Sequence, residues 1–246
     1  MPVMDEFREE REAIKHGTFK QKYQYFKDYY RMPLLITILA ILFVGTLVYK
    51  FVTSKDYAFY AAILNCVPYE EYEWLNEEFA DHAKIDLDRY RVVFDYNFFY
   101  TCNSSDENSV YTTQKLDAYT AARQLDVMLG TGDEFAHFAD SMLFMDLRTV
   151  LTEEQLQKYE PYLYYIDVAR VNQEDAEISD PQDYANPRKP EEMADPVPVA
   201  IYVDSCKKLE TACFFRNADN GIALGIYVNS LHVDNAVALI EYLLSD

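Results

Sequence analysis

Four histidines, four cysteines and one Ser-x-x-Lys are the residues of this chain from which chemistry could be built. His16, His82, His137 and His232 are scattered, and no His-Glu-x-x-His puts two imidazoles on one helical face for a metal. Ser205 and Lys208 match the Ser-x-x-Lys of penicillin-binding enzymes. The Lys-Thr-Gly and Ser-x-Asn partners are missing, so the match reads as chance. No Gly-x-Ser-x-Gly supplies a nucleophile elbow. Gly130-Thr131-Gly132 lies between an apolar strand and a helix, where backbone N–H groups can hold an anion. Asp133 adds negative charge at that spot, and a tight turn is the simpler reading. Carboxylates are plentiful, but sequence alone singles out no acid/base pair. The chain therefore reads as a non-enzyme with no catalytic residue, no cofactor and no metal site.

Cys66, Cys102, Cys206 and Cys213 all follow residue 52. Four cysteines allow three connectivities. Cys66 and Cys102 each follow a strand end, and Cys206 and Cys213 flank what reads as a short turn, so Cys66–Cys102 with Cys206–Cys213 is the favoured pairing. The absence of Cys-x-x-Cys argues against a zinc ribbon or a thioredoxin motif.

These residues sit in a chain of 246 amino acids with 22 Lys+Arg against 42 Asp+Glu, a net charge of -20. Nucleic-acid binding needs a basic face that displaces counterions from phosphates, and this balance argues against it. Half of the residues are apolar and 15% aromatic, which supports a packed core rather than disorder.

The elements that must position the chemistry begin with residues 33–52, PLLITILAILFVGTLVYKFV. A hydrocarbon core of about 30 Å needs about 20 helical residues, and this run supplies them with Lys50 as its one charge, near its end. Thr37 and Thr46 can bond back to helix carbonyls. The span starts too far in, and lacks the small-residue cleavage site, for a signal peptide. Lys15, Lys20, Lys22, Lys27 and Arg31 crowd its N-terminal side, which the positive-inside rule keeps cytoplasmic. Residues 1–32 hold seven basic and six acidic groups; residues 53–246 hold fourteen and thirty-six. The domains are therefore a cytoplasmic juxtamembrane segment 1–32, a transmembrane helix 33–52 and an extracytoplasmic, extracellular domain 53–246.

Residues 4–16 are helix-favouring, with Gly17 as a stop. Thr18 starts a second helix with Gln21 as its capping-box partner. Phe19, Tyr23, Phe26 and Tyr30 form an aromatic stripe beside lysines, as in a helix lying in the membrane interface or docking on another membrane protein.

Beyond the span, strand and helix signals alternate: strands at Tyr57–Asn65, Tyr90–Phe99, Asp126–Leu129, Tyr162–Val168, Pro198–Val203 and Ala223–Val228. Helices are expected at Tyr69–Lys84, Thr113–Leu125, Asp133–Asp140, after the Thr152 cap and at Val233–Leu244. This predicts an α/β domain with a mainly parallel sheet and flanking helices. Residues 172–197, with eight acidic residues and four prolines, read as a solvated loop. Open α/β sheets bind ligands beyond the carboxyl ends of their strands. The candidate ligand-binding residues are accordingly Asn65, Asn103, Gly130, Thr131, Asp204 and Asn229.

The strand–helix order of 57–129, continued by DVMLGTGDEFAHFADSMLFMDLRTVLT, resembles the first lobe of type II extracellular solute-binding proteins, through Asp126, Val127, Met128, Phe135, Ala139, Asp146 and Leu147. The final ALGIYVNSLHVDNAVALIEYLLS resembles their closing strand and helix. KYQYFKDYYR before the span and KDYAFYAAILN after it resemble single-pass membrane proteins of clostridial-type Gram-positive bacteria. The resemblance implies a reduced solute-binding lobe acting as a sensor or an accessory envelope subunit. The 194 residues after residue 52 leave little room for a second lobe, and the family's lipobox is absent. A structural protein-interaction module that has lost its ligand cleft is the alternative. The implied partners are the lipid bilayer through residues 33–52, an envelope or membrane protein, and a small-molecule ligand if a cleft exists.

Overall fold

A computed structural model describes residues 17–70, 72–102, 104–171, 189–216, 218 and 221–245. The expected helix over residues 4–16 and the site residue Asn103 lie outside the described residues, as does most of the acidic loop. The chain divides into two compact units, one ending at Ser54 and the other starting at Lys55.

In the first unit, helix α1 (Phe19–Tyr25) starts at Thr18 with the expected capping box: the Thr18 N–H donates to Gln21 Oε1 at 2.9 Å. Phe26–Tyr30 form one π turn. Helix α2 then runs from Arg31 to Thr53 and carries Pro33 in its first turn, where a missing N–H costs no intrahelical bond. α2 is long and apolar enough to cross a membrane, and none of its side chains is buried. Thr37 and Thr46 donate to the Pro33 and Phe43 carbonyls at 2.8 and 2.7 Å, which satisfies both hydroxyls within the helix.

The second unit is α/β. Its strands are β1 (Asp56–Leu64), β2 (Cys66–Pro68), β3 (Tyr90–Phe98), β4 (Val127–Thr131), β5 (Leu163–Asp167), β6 (Pro196–Tyr202), β7 (Cys213–Phe215) and β8 (Ile222–Ile226). Its helices are α3 (Trp74–His82), α4 (Glu107–Ala121), α5 (Gly132–Asp140), α6 (Glu153–Tyr159), α7 (Val168–Val171), α8 (Lys207–Ala212) and α9 (Val233–Leu244). Six strands form one sheet in the order β3-β1-β4-β8-β6-β5, and β2 pairs with β7 in a separate two-stranded ribbon.

The sheet is mixed, which corrects the expectation of a mainly parallel one. β1 is parallel to β3 and to β4, whereas the pairs β4–β8, β6–β8 and β5–β6 are antiparallel. Strand direction is invisible in such sequences, because a strand buried on both faces reads as one apolar run whichever way it points. β8 (IALGI) is buried at all five positions.

Helices cover both faces. On one side Phe59, Ala61 and Ile63 of β1 meet Leu75 and Phe79 of α3 and Leu239 and Ile240 of α9. On the other, Tyr60, Ala62 and Leu64 meet Leu116 of α4 and Phe135 and Phe138 of α5. The period-2 alternation of β1 thus feeds two cores. Gly225, in the middle of β8, lets the stacked rings of Phe135 and Phe144 lie against the strand: a Cβ there would stand 2.7 Å from Phe144 and 2.9 Å from Phe135.

The α3 helix is shorter than expected. α4 starts earlier, at Glu107, because Asp106 caps it by accepting from the N–H groups of Asn108 and Ser109. α6 keeps the expected Thr152–Gln155 capping box. β2, α8 and β7 were not expected at all, being too short to show a period.

Candidate functional site

The carboxyl end of β1 and β4 is where the sequence places a ligand. Asn65, Gly130, Thr131 and Asp204 do share that edge. β4 and β1 are neighbours, and β8 links the end of β4 to the end of β6 through Gly130↔Ala223 and Tyr202↔Ala223. Their polar groups are engaged with the protein itself. Asn65 turns the chain out of β1 with φ of 53°, a left-handed conformation that asparagine tolerates. Its side chain donates to the Tyr100 carbonyl at 2.6 Å and accepts from the Tyr100 N–H at 2.9 Å. The Thr131 hydroxyl, fully buried, donates to Glu134 Oε2 at 2.6 Å. Glu134 therefore brings a carboxylate of the chain itself to the start of α5, where an anion would otherwise sit. Asp204 accepts from the Ile222 N–H.

Asn229 lies elsewhere. β8 runs antiparallel to β4, and the register Val127↔Ile226 carries the end of β8 to the edge where β4 begins. The expectation that Asn229 joins the other candidates fails for that reason.

That opposite edge holds a cluster around Asp126, which is 1% exposed. Asp126 Oδ1 accepts from Ser230 Oγ at 2.6 Å, and Oδ2 accepts from the Tyr60 N–H at 2.9 Å. His232 Nδ1 lies 3.2 and 3.3 Å from the two carboxylate oxygens, and the His232 N–H donates to Ser230 Oγ. With Nδ1 as donor, the imidazole of this 32% exposed side chain carries its proton toward Asp126. Sequence reading missed this group as a unit. Its signals were an Asp directly before an apolar strand and a Ser-x-His directly before a helix. In a hydrolytic relay the serine bonds to the imidazole and the imidazole to the acid. Here the serine gives its proton to the acid, so the cluster clamps the β8–α9 connection onto β1 and β4 rather than activating a nucleophile.

A third polar cluster sits on the second core face. Lys115 Nζ lies 2.7 Å from Asp95 Oδ2, both side chains being 11% exposed, and stands 3.9 Å from the centre of the Phe98 ring. The Tyr60 hydroxyl donates to the same oxygen. Burial opposes ionisation of Asp95, but bonds from Lys115, Tyr60 and the Asn97 N–H outweigh it and hold its carboxyl below the ordinary range. Burial and then Asp95 push the Tyr60 phenol well above its usual value. Tyr60 thus ties Asp126 through its N–H and Asp95 through its hydroxyl.

Ser205 and Lys208 form no pair. Lys208 Nζ donates to the Tyr242 and Ser245 carbonyls at 2.8 and 2.6 Å, closing the C-terminal end of α9. Among the described residues no group of three His, Cys, Asp or Glu is placed to hold a metal.

The cysteines depart from both expected pairs, and none of the four is joined in a disulfide. Cys206 and Cys213 flank α8, a helix instead of a turn. At 1.5 Å per residue that puts them about 10 Å apart, beyond the roughly 7 Å limit for a disulfide. Cys66 belongs to the core on one face of the sheet, whereas Cys102 packs against the core on the other. The cysteine that lies near Cys66 is Cys213, its diagonal neighbour in the β2–β7 ribbon.

Compared with known proteins, the chain matches no family model, no curated protein and no solved structure. Its function has to be argued from its own residues.

Proposed function

We propose that the chain is a single-pass membrane protein whose acidic α/β domain stands outside the cytosol and serves as a protein-binding accessory subunit of the cell envelope. The observation that carries this reading is the carboxyl edge of β1 and β4. Asn65, Thr131 and Asp204, the side chains best placed to greet a solute there, are spent on Tyr100, Glu134 and Ile222. This favours the interaction module over a solute receptor, and the Asp126 clamp gives no reason to revive an enzyme.

The membrane part is supported by α2. Helix residues such as Ile36, Ile41 and Phe43 are 61%, 66% and 64% exposed, an arrangement that water penalises and hydrocarbon does not. The basic flank before the helix favours a cytoplasmic N-terminus. The surplus of acid after residue 52 suits a partner with a basic face, where charge complementarity sets specificity and encounter rate.

Crosslinking in intact cells tests the function. One stoichiometric membrane or envelope partner is expected, lost when high salt precedes the crosslinker, together with no thermal stabilisation by amino acids, peptides, sugars or metals. A ligand that raises the melting temperature in proportion to its concentration would return the solute-binding sensor to first place. A tag after Asp246 should be cleaved by protease added outside intact cells; accessibility from the cytosol alone would refute the orientation.

A further inference from the structure

We infer that Cys66 and Cys213 are the cysteine pair of this domain that closes to a disulfide, joining β2 to β7. In the antiparallel ribbon Cys66 stands opposite Phe215 and Cys213 opposite Pro68, so the two cysteines are diagonal neighbours. Both side chains are buried, while the alternate residues Val67 and Phe214 point out and are 38% and 58% exposed. The pair therefore shares the inward face of the ribbon. Diagonal neighbours stand roughly 7–8 Å apart, with Cβ atoms somewhat closer, and both side chains enter the same core. A bond requires the two backbones to close slightly, because a disulfide spans Cα separations of up to about 7 Å.

The fold also disposes of both pairings that the sequence favoured. Cys206 sits at the far end of α8 from Cys213, and Cys102 packs on the other face of the sheet from Cys66.

The chemistry is thiol–disulfide exchange with a donor disulfide, either oxidised glutathione or a thiol–disulfide oxidoreductase. The thiolate of one cysteine attacks the donor, forms a mixed disulfide and expels one donor sulfur as a thiol. The second cysteine attacks its partner's sulfur in that mixed disulfide and expels the other. Two electrons and two protons pass from the pair to the donor. In the folded thiol form the neighbouring Cys213 thiol and burial hold the Cys66 thiol protonated, so exchange belongs to folding or to opening of the ribbon.

The test uses the full-length chain in detergent, reduced and unfolded, then refolded in a glutathione redox buffer. After alkylation under denaturing conditions, non-reducing peptide mapping should find Cys66 linked to Cys213, with Cys102 and Cys206 alkylated. Cys102→Ser should leave that map unchanged, and Cys213→Ser should leave Cys66 alkylated with no new bridge. A Cys66–Cys102 or Cys206–Cys213 link, or four alkylated cysteines in the refolded chain, would overturn the inference. Protein taken directly from native membranes separates this from the proposed topology. If it carries four thiols while the refolded chain forms the pair, the pairing stands and the placement outside the cytosol falls.

Discussion

Replacing Lys115 by methionine removes the ammonium from beside Asp95 and keeps the apolar stem that covers Phe98. The remaining Asp95 carboxylate still accepts from Tyr60 and from the Asn97 N–H and amide, so it is stranded only in part. Breaking a buried ion pair from one side costs about 3–5 kcal/mol, and the residual bonds place the expected loss near 3 kcal/mol. For a folded unit of this size, that corresponds to a fall of about 6–12 °C in melting temperature. Asp95 titrates at a lower pH in the folded chain than in the unfolded one, so its contribution is complete above about pH 4 and disappears as the pH falls through the folded value. In the Lys115→Met chain that loss should move to higher pH. The assay is urea unfolding of the full-length chain in detergent, followed by fluorescence of Trp74, the single tryptophan, at pH 7 and pH 3. The triple change Lys115→Met, Asp95→Leu, Tyr60→Phe removes every charge and the orphaned hydroxyl together, and should recover most of the loss. A single variant that loses less than about 1 kcal/mol, or a triple variant no more stable than the single one, would refute the reasoning.

Gly225→Ala drives a methyl into the Phe135–Phe144 stack and should cost about 1–3 kcal/mol by overpacking, read as a lowered urea midpoint with an unchanged slope. Asp126→Ala deprives the Tyr60 N–H, the Ser230 hydroxyl and His232 Nδ1 of their acceptor, and should cost about 2–4 kcal/mol, whereas exposed Asn229→Ala should change stability by less than about 0.5 kcal/mol. Hydrogen exchange should show the Tyr60 and Tyr227 amides losing protection together in the Asp126 variant. Thr131→Val leaves the Glu134 carboxylate without its hydroxyl donor and should cost about 1–3 kcal/mol; thermal unfolding checks it, with Glu134→Gln as the comparison that keeps the hydrogen bond.

What could be read from the residues was whatever depends on neighbours in the chain. Twenty apolar residues in a row make a helix that can cross a membrane, a Thr with Gln three residues on starts a helix, and alternation in β1 supplies side chains to two faces. The final helix appeared at Val233–Leu244, as its period predicts. Asn65, Gly130, Thr131 and Asp204 share one edge because each closes a strand that points the same way, a direction that the assembled sheet decides. Whatever depends on how strands choose partners was out of reach. β8 carries no mark of its direction, so Asn229 was expected at the wrong end of the sheet. Asp126, Ser230 and His232 stand more than a hundred residues apart in the chain at their widest and meet only because β8 lies antiparallel beside β4. The cysteines show the same division: spacing suggested Cys206 with Cys213, but six helical residues hold them apart, and the ribbon brings Cys66 to Cys213 instead. Helices and caps follow from short-range hydrogen bonds and side-chain period, whereas pairing and direction are decided by the burial of two faces at once, a property of the assembled sheet.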